Sequence, residues 1–125
     1  MLQKMLWLSV AGACGTVSRF ALYELAAKSK FAHLPLGTFS VNIIGSFLFG
    51  LVYSLAERRV LISPEMRVIL LVGFMGAFTT FSTFAFDTAK LLRASQFALA
   101  FGNVFAQTAL GVLALAGGVI LGRQA

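Results

Sequence analysis

One segment of the chain carries hydroxyl and aromatic side chains where a membrane helix would carry leucine and valine. Residues 73–84 have the sequence GFMGAFTTFSTF, with two glycines ahead of four hydroxyl residues. In hydrocarbon an unpaired backbone N–H or C=O is costly, so irregular backbone persists there only inside protein or beside a water or ion path. Interrupted membrane helices are where ion sites are built. The segment therefore predicts a broken helix that serves an ion.

Other polar and small residues recur at steps of three or four, which places them on shared helix faces. They are Thr38, Asn42, Gly45, Ser46 and Phe49, then Asn103, Gln107 and Gly111, and finally Thr79, Ser82 and Thr83 beside the pair Phe81 and Phe84. Helix packing explains the glycines and Ser46, since small residues let backbones approach closely. An aromatic pair at this spacing is ordinarily core. The carboxamides of Asn42 and Gln107 are more than packing requires.

Arg19 is the basic residue that lies well inside an apolar stretch. An intramembrane charge costs about 2.5–3.5 kcal/mol on insertion scales and by default faces the protein interior or a water cavity. The alternatives are a side chain that snorkels to the interface or a structural ion pair with Glu24 or Asp87. Together with amides, hydroxyls and the positive ring edges of phenylalanine, the guanidinium suits a small, strongly hydrated anion. Carbonyls freed at a helix break suit sodium.

Composition places these groups in a membrane. Of 125 residues, 59% are hydrophobic and only 11% are charged, against about 25% charged in a soluble domain. Windows of about 20 apolar residues, the length that spans a bilayer, fill residues 5–27, 36–56, 68–92 and 97–121. We therefore predict a single all-α transmembrane domain over residues 1–125, with four spans and the third broken near Gly76 to Thr79.

The basic residues are divided almost evenly between the two membrane faces. One face has Lys4, Arg58, Arg59, Arg67 and Arg123, and the other has Lys28, Lys30, Lys90 and Arg93. An excess on one side normally orients a membrane protein, so this near tie permits both orientations and an antiparallel dimer. An accidental tie is equally compatible with the charges. The net charge of +6 is attributed to loop anchoring rather than to nucleic-acid binding.

Several functional classes lack support. A lone His33 and a lone Cys14 provide no metal-ligand cluster, and no catalytic triad is recognisable, so we expect a protein that is not an enzyme. A dual-topology small multidrug exporter fits the size and the charge balance. It requires a central acidic residue in the first span, which this chain does not have. A non-transporting membrane assembly protein, in which the polar faces only pack, is the other alternative.

The chain resembles the Fluc (CrcB-type) fluoride channels over essentially its whole length. The resemblance rests on residues 12–19, on GTFSVNIIGSF at 37–47 and on residues 73–84. It implies a multi-pass protein of the bacterial plasma (inner) membrane that exports cytoplasmic fluoride down its electrochemical gradient. It also implies an antiparallel, dual-topology homodimer with two pores and a structural sodium ion at its centre.

The resemblance further implies roles for individual residues. Asn42 would be the pore asparagine, Phe81 and Phe84 would line the fluoride path, and Thr38 and Thr83 would add to a polar track that includes Ser82. Arg19 would face an aqueous vestibule, Asp87 would match an acidic residue after the phenylalanines, and the carbonyls of Gly76 and Thr79 would bind sodium. The fourth span departs from the pattern: Asn103 is followed by Gln107 where the family has serine.

Overall fold

The chain is a set of helices joined by short turns in a computed structural model that describes residues 1–58 and 62–125. Arg59, counted above among the basic residues, lies outside the described residues. The elements are α1 (Leu2–Ala27), α2 (Leu36–Glu57), α3 (Pro64–Val68), a π-helical segment (Ile69–Met75), α4 (Gly76–Phe78), α5 (Phe81–Arg93) and α6 (Phe97–Gln124). Four stretches, namely α1, α2, the run Pro64–Arg93 and α6, are long and apolar enough to cross a membrane. The prediction of an all-α membrane protein with four spans is confirmed.

The third span is interrupted, as predicted, but the interruption begins later than the glycines suggest. Gly76 has helical dihedral angles, φ −61° and ψ −34°. The extended residues are Thr79, with φ −86° and ψ 160°, and Thr80, with φ −152° and ψ 116°. No glycine of the described residues has a positive φ. The break therefore depends on the hydrogen-bond partners of two threonines and not on the conformational freedom of glycine.

Close backbone contact holds the helices around this break. A Cβ atom on Gly118 of α6 would overlap the carbonyl oxygen of Phe47 in α2. A Cβ on Gly15 of α1 would likewise overlap the carbonyl oxygen of Phe74 in the π-helical segment. Small residues at helix contacts permit this approach in membranes. As a result, α2 lies beside α6, and α1 lies beside the first half of the third span.

The turn between α5 and α6 ends the third span. The N–H of Gln96 donates to the carbonyl of Leu91 at 2.9 Å, and that of Ser95 donates to Leu92 at 3.0 Å. This pair of bonds is the Schellman arrangement, which needs a left-handed residue just past the helix end. Ser95 takes that conformation, with φ 57°, where glycine is the usual residue.

Candidate functional site

Asn42 of α2 holds the break in the third span. Its Oδ1 accepts a hydrogen bond from the N–H of Thr80 at 2.9 Å, and its Nδ2 donates to the carbonyl of Thr80 at 3.1 Å. One carboxamide thus satisfies both backbone groups of one residue. In a continuous α-helix, the N–H of Thr80 would instead donate to the carbonyl of Gly76. The clamp on Thr80 therefore leaves the Gly76 carbonyl without its helical donor, and Gly76 is exposed.

Hydroxyl groups cluster where α5 begins. The Thr80 Oγ1 caps the helix, since it accepts from the N–H of Thr83 at 3.2 Å, and it donates to Thr83 Oγ1 at 3.1 Å. Because that donation uses its proton, the Ser82 hydroxyl is the donor in the 3.2 Å contact with Thr80. The N-terminus of a helix carries partial positive charge. The start of α5 therefore combines hydroxyl donors with a favourable potential for an anion.

A row of side-chain hydrogen bonds leads from Asn42 along α6. Asn42 Nδ2 donates to Gln107 Oε1 at 2.8 Å, and Gln107 Nε2 donates to Asn103 Oδ1 at 2.9 Å. Asn103 Nδ2 donates to Thr88 Oγ1 at 3.0 Å, which donates to the carbonyl of Phe84 at 2.9 Å. Gln107 and Asn103 are buried. We call these three carboxamides and Thr88 the amide row; it joins the break to the turn that carries Phe84.

A second polar cluster lies near the end of the membrane span. Thr38 Oγ1 donates to Asp87 Oδ2 at 2.6 Å and lies 3.0 Å from the hydroxyl of Tyr23. Since the Thr38 proton is used on Asp87, the Tyr23 hydroxyl is the donor. The cluster lines a cavity of about 330 Å³ that also includes His33 and Lys90. Water and ions reaching this face would meet both charge signs.

The two phenylalanines lie at the start of α5. Their ring centroids are 5.6 Å apart and their planes are tilted by 51°, an edge-to-face tendency that aromatic pairs favour. Phe81 is 79% exposed. It lines an open cavity of about 280 Å³ together with Asn42, Thr79 and Thr80. The cavity that combines the predicted site residues thus lies on the outer surface of the chain.

Arg19 points toward the break. Its Nη1 donates to the carbonyl of Thr79 at 3.4 Å, and the residue is half-buried. Asp87, one alternative partner, accepts from Thr38 instead. The guanidinium therefore adds positive charge beside the Thr79 carbonyl, which the family resemblance assigns to sodium.

The structure joins most of the predicted site residues but not all of them. Asn42, Asn103 and Gln107 form one hydrogen-bonded row, and Ser82 and Thr83 surround Thr80, whereas Thr38 belongs to the separate cluster with Asp87. The parts that these residues play toward an ion stay predictions.

Sequence reasoning gave no role to Thr80, Thr88 or Tyr23. Thr88 lies four residues after Phe84, and Tyr23 lies four after Arg19, so the helical spacing that identified their neighbours would also have found them. Thr80 carries the N-cap signal, a hydroxyl residue directly before a helix. Because a break is predicted in this segment, the N-cap signal could have identified Thr80 as the residue that begins the following helix.

These features together define a class: a four-span helical membrane protein whose third span is broken at a polar site. Within that class the chain belongs to the family described as "CrcB-like protein, Camphor Resistance (CrcB)", which it matches over residues 6–119.

Curated relatives cover almost the whole chain. A protein of Nitrosococcus oceani is 50% identical over 113 residues, 90% of each chain. Proteins of Maridesulfovibrio salexigens and Solidesulfovibrio magneticus are 42% and 46% identical; the alignments cover 98% of this chain and 97% and 98% of theirs. All three are named "Fluoride-specific ion channel FluC".

Proposed function

We propose that this chain forms a fluoride-selective channel of the bacterial inner membrane, through which fluoride leaves the cytoplasm down its electrochemical gradient. Fluoride enters cells as its neutral weak acid, which crosses bilayers and dissociates inside, so an exit path for the anion relieves its accumulation. The relatives' names support this function. The observation that carries it is the broken span, where α5 starts among hydroxyl donors and ring edges.

The lining of the path follows from which donors remain free. Asn42 uses both N–H groups within the chain, so its main contribution is to hold the break. The Thr83 hydroxyl accepts from Thr80, which leaves its own proton for an anion. Gln107 and Asn103 each use one N–H in the amide row and keep a second. We assign these donors, with the edges of Phe81 and Phe84, to the fluoride path.

A second copy of the chain completes the site in this proposal. Phe81 is largely exposed, and the cavity beside it includes the polar residues Asn42 and Thr80. Polar groups facing lipid are costly, so another protein surface should cover this cavity. The near tie in basic residues permits oppositely oriented copies. We propose an antiparallel homodimer with one path at each of its two equivalent cavities.

The break also fits a structural sodium ion between the copies. Hard cations prefer oxygen ligands. The Gly76 carbonyl lacks its helical donor because Thr80 is clamped by Asn42, and among the described residues no cluster of acidic, histidine or cysteine side chains suits a metal. The carbonyls of Gly76 and Thr79 from both copies would hold the ion. Its positive charge would attract fluoride to the neighbouring path.

Ion efflux from liposomes tests the proposal. Purified protein is reconstituted in vesicles loaded with potassium fluoride, and a fluoride electrode follows release after valinomycin makes the membrane permeable to potassium. We expect rapid fluoride release and little chloride release from matched vesicles. Comparable chloride release would contradict selectivity. No release of either ion would favour the assembly-protein alternative.

Two further measurements test the dimer and the ion. Cysteine crosslinking at positions near the two membrane faces should give antiparallel products; only parallel products would contradict the proposed dimer. Protein held in N-methyl-D-glucamine without sodium should lose fluoride flux and regain it when sodium returns. Undiminished flux without sodium would exclude a functional role for the ion.

A further inference from the structure

The amide row has a single direction. Each carboxamide donates through its nitrogen to the next oxygen, from Asn42 to Gln107 and from Gln107 to Asn103. Asn103 then donates to Thr88, and Thr88 to the carbonyl of Phe84. The last acceptor is a backbone carbonyl, which cannot donate. Every earlier group therefore has only one orientation that keeps all the bonds.

Gln107 is the member that this order depends on most. Its Oε1 accepts from Asn42 at 2.8 Å and its Nε2 donates to Asn103 at 2.9 Å, so one side chain connects the two asparagines. Gln107 is 7% exposed. A smaller or apolar residue there would leave an N–H of the half-buried Asn42 and an oxygen of the buried Asn103 without partners. Unsatisfied buried groups of this kind are penalised strongly.

We propose that Gln107 is a positioning residue for ion passage: it fixes the carboxamide of Asn42, and through Asn42 it holds the peptide of Thr80 at the break. The effect on fluoride flux rests on the proposed function. The effect on Asn42 does not, because it follows from the contacts within one chain. The two parts of the inference can therefore be measured separately.

Selective labelling gives a direct view of the row. Asn42 and Asn103 are the only asparagines in the sequence, so protein labelled with ¹⁵N at asparagine side chains gives two NH₂ groups, both in the row. An Asn103→Ser variant assigns the two signals. We expect both side-chain protons of Asn42 to exchange slowly with deuterium, because both are hydrogen-bonded.

The decisive variant is Gln107→Met, which keeps the length of the side chain and removes both hydrogen-bonding groups. One Asn42 side-chain proton should exchange about tenfold faster or more, and fluoride flux should fall by a similar factor, the effect expected from one lost buried hydrogen bond. Gln3→Met is the matched control, because Gln3 is exposed in the first turn of α1; it should leave both measurements unchanged.

The outcomes separate the two claims. If wild-type protein carries no fluoride, the proposed function fails, while the exchange data still decide whether Gln107 positions Asn42. If wild-type protein carries fluoride, unchanged exchange or unchanged flux in Gln107→Met overturns the inference. Should that variant not fold, Gln107→Glu retains an acceptor facing Asn42 and should keep its slow exchange. Fast exchange in Gln107→Glu would also overturn the inference.

Discussion

Replacement of Asn42 by aspartate tests the clamp on the break with almost no change in shape. An oxygen would replace the Nδ2 atom that donates to the Thr80 carbonyl at 3.1 Å and to Gln107 Oε1 at 2.8 Å. Both contacts would then join two acceptors. The bond from the Thr80 N–H to Oδ1 would remain. Asn42→Asp therefore removes half of the clamp while it keeps the other half.

The size of the effect follows from these contacts. A buried acceptor left without its donor costs about 1–3 kcal/mol, so two such acceptors set an upper range of about 2–6 kcal/mol. Gln107 can turn its amide to donate to the new carboxylate only if Asn103 turns as well and Thr88 donates to Asn103 instead of to the Phe84 carbonyl, which keeps its helical donor. The Thr80 carbonyl is then the loss that cannot be repaired. We therefore expect about 1–3 kcal/mol, against a total stability of about 5–15 kcal/mol. The variant should fold, but the extended conformation of Thr80 at the break should be less stable.

Fluoride efflux from liposomes and thermal unfolding in detergent measure this effect together. Since 1.4 kcal/mol corresponds to a factor of about ten, flux should fall roughly tenfold to a hundredfold, with a clearly lower unfolding temperature. Added negative charge near the path would reduce anion flux further. Gln3→Glu makes the same amide-to-acid change at an exposed position and should behave like wild type. Normal flux and stability in Asn42→Asp would refute the clamp.

Three other substitutions give separate expectations. Phe81→Ile should abolish or severely slow fluoride flux while the protein still assembles, because the substitution removes the ring edge. Phe86→Ile on the same helix is the control and should leave fluoride flux unchanged. Equal flux in the two variants would leave Phe81 with a packing role only. Ser95→Gly should raise the free energy of unfolding by about 0.5–1 kcal/mol. A left-handed residue other than glycine costs roughly 1–2 kcal/mol, and part of the gain from removing this cost is offset because glycine loses more conformational entropy on folding. A lower unfolding temperature would contradict the Schellman turn. Ser54→Ala should not lower the unfolding temperature. The buried Ser54 Oγ has no hydrogen-bond partner among the described residues, so its removal leaves no other polar group unsatisfied. Marked destabilisation would indicate a partner for that hydroxyl.

Local patterns in the sequence were enough to predict the spans and the existence of the break. Apolar windows depend only on neighbouring residues, and so does a cluster of glycines and hydroxyls within one of them. The break was predicted near Gly76 to Thr79, and the structure places the extended residues at Thr79 and Thr80, at the end of that range.

The reason for this position of the break is a contact that no local pattern contains. Thr80 leaves the helix because Asn42, 38 positions away in the sequence, satisfies its N–H and its carbonyl. Its own hydroxyl then caps α5. Helical spacing placed Asn42 on a polar face, but the choice of Thr80 as its partner depends on how α2 packs against the third span. A Cβ on Gly45, one turn after Asn42, would overlap the side-chain methyl of Thr79, so this glycine permits the approach.

The fourth span shows how a departure from a family pattern acquires a physical meaning. From sequence alone, the pair Asn103 and Gln107 was a mismatch at the far end of the path. In the structure the same pair continues the hydrogen bonding of Asn42 to Thr88 and the backbone of Phe84. A serine at position 107 is too short to reach both asparagines in this way. The glutamine therefore ties the break in the third span to the fourth span, and the residue that fixes Asn42 lies outside the segment that carries the break.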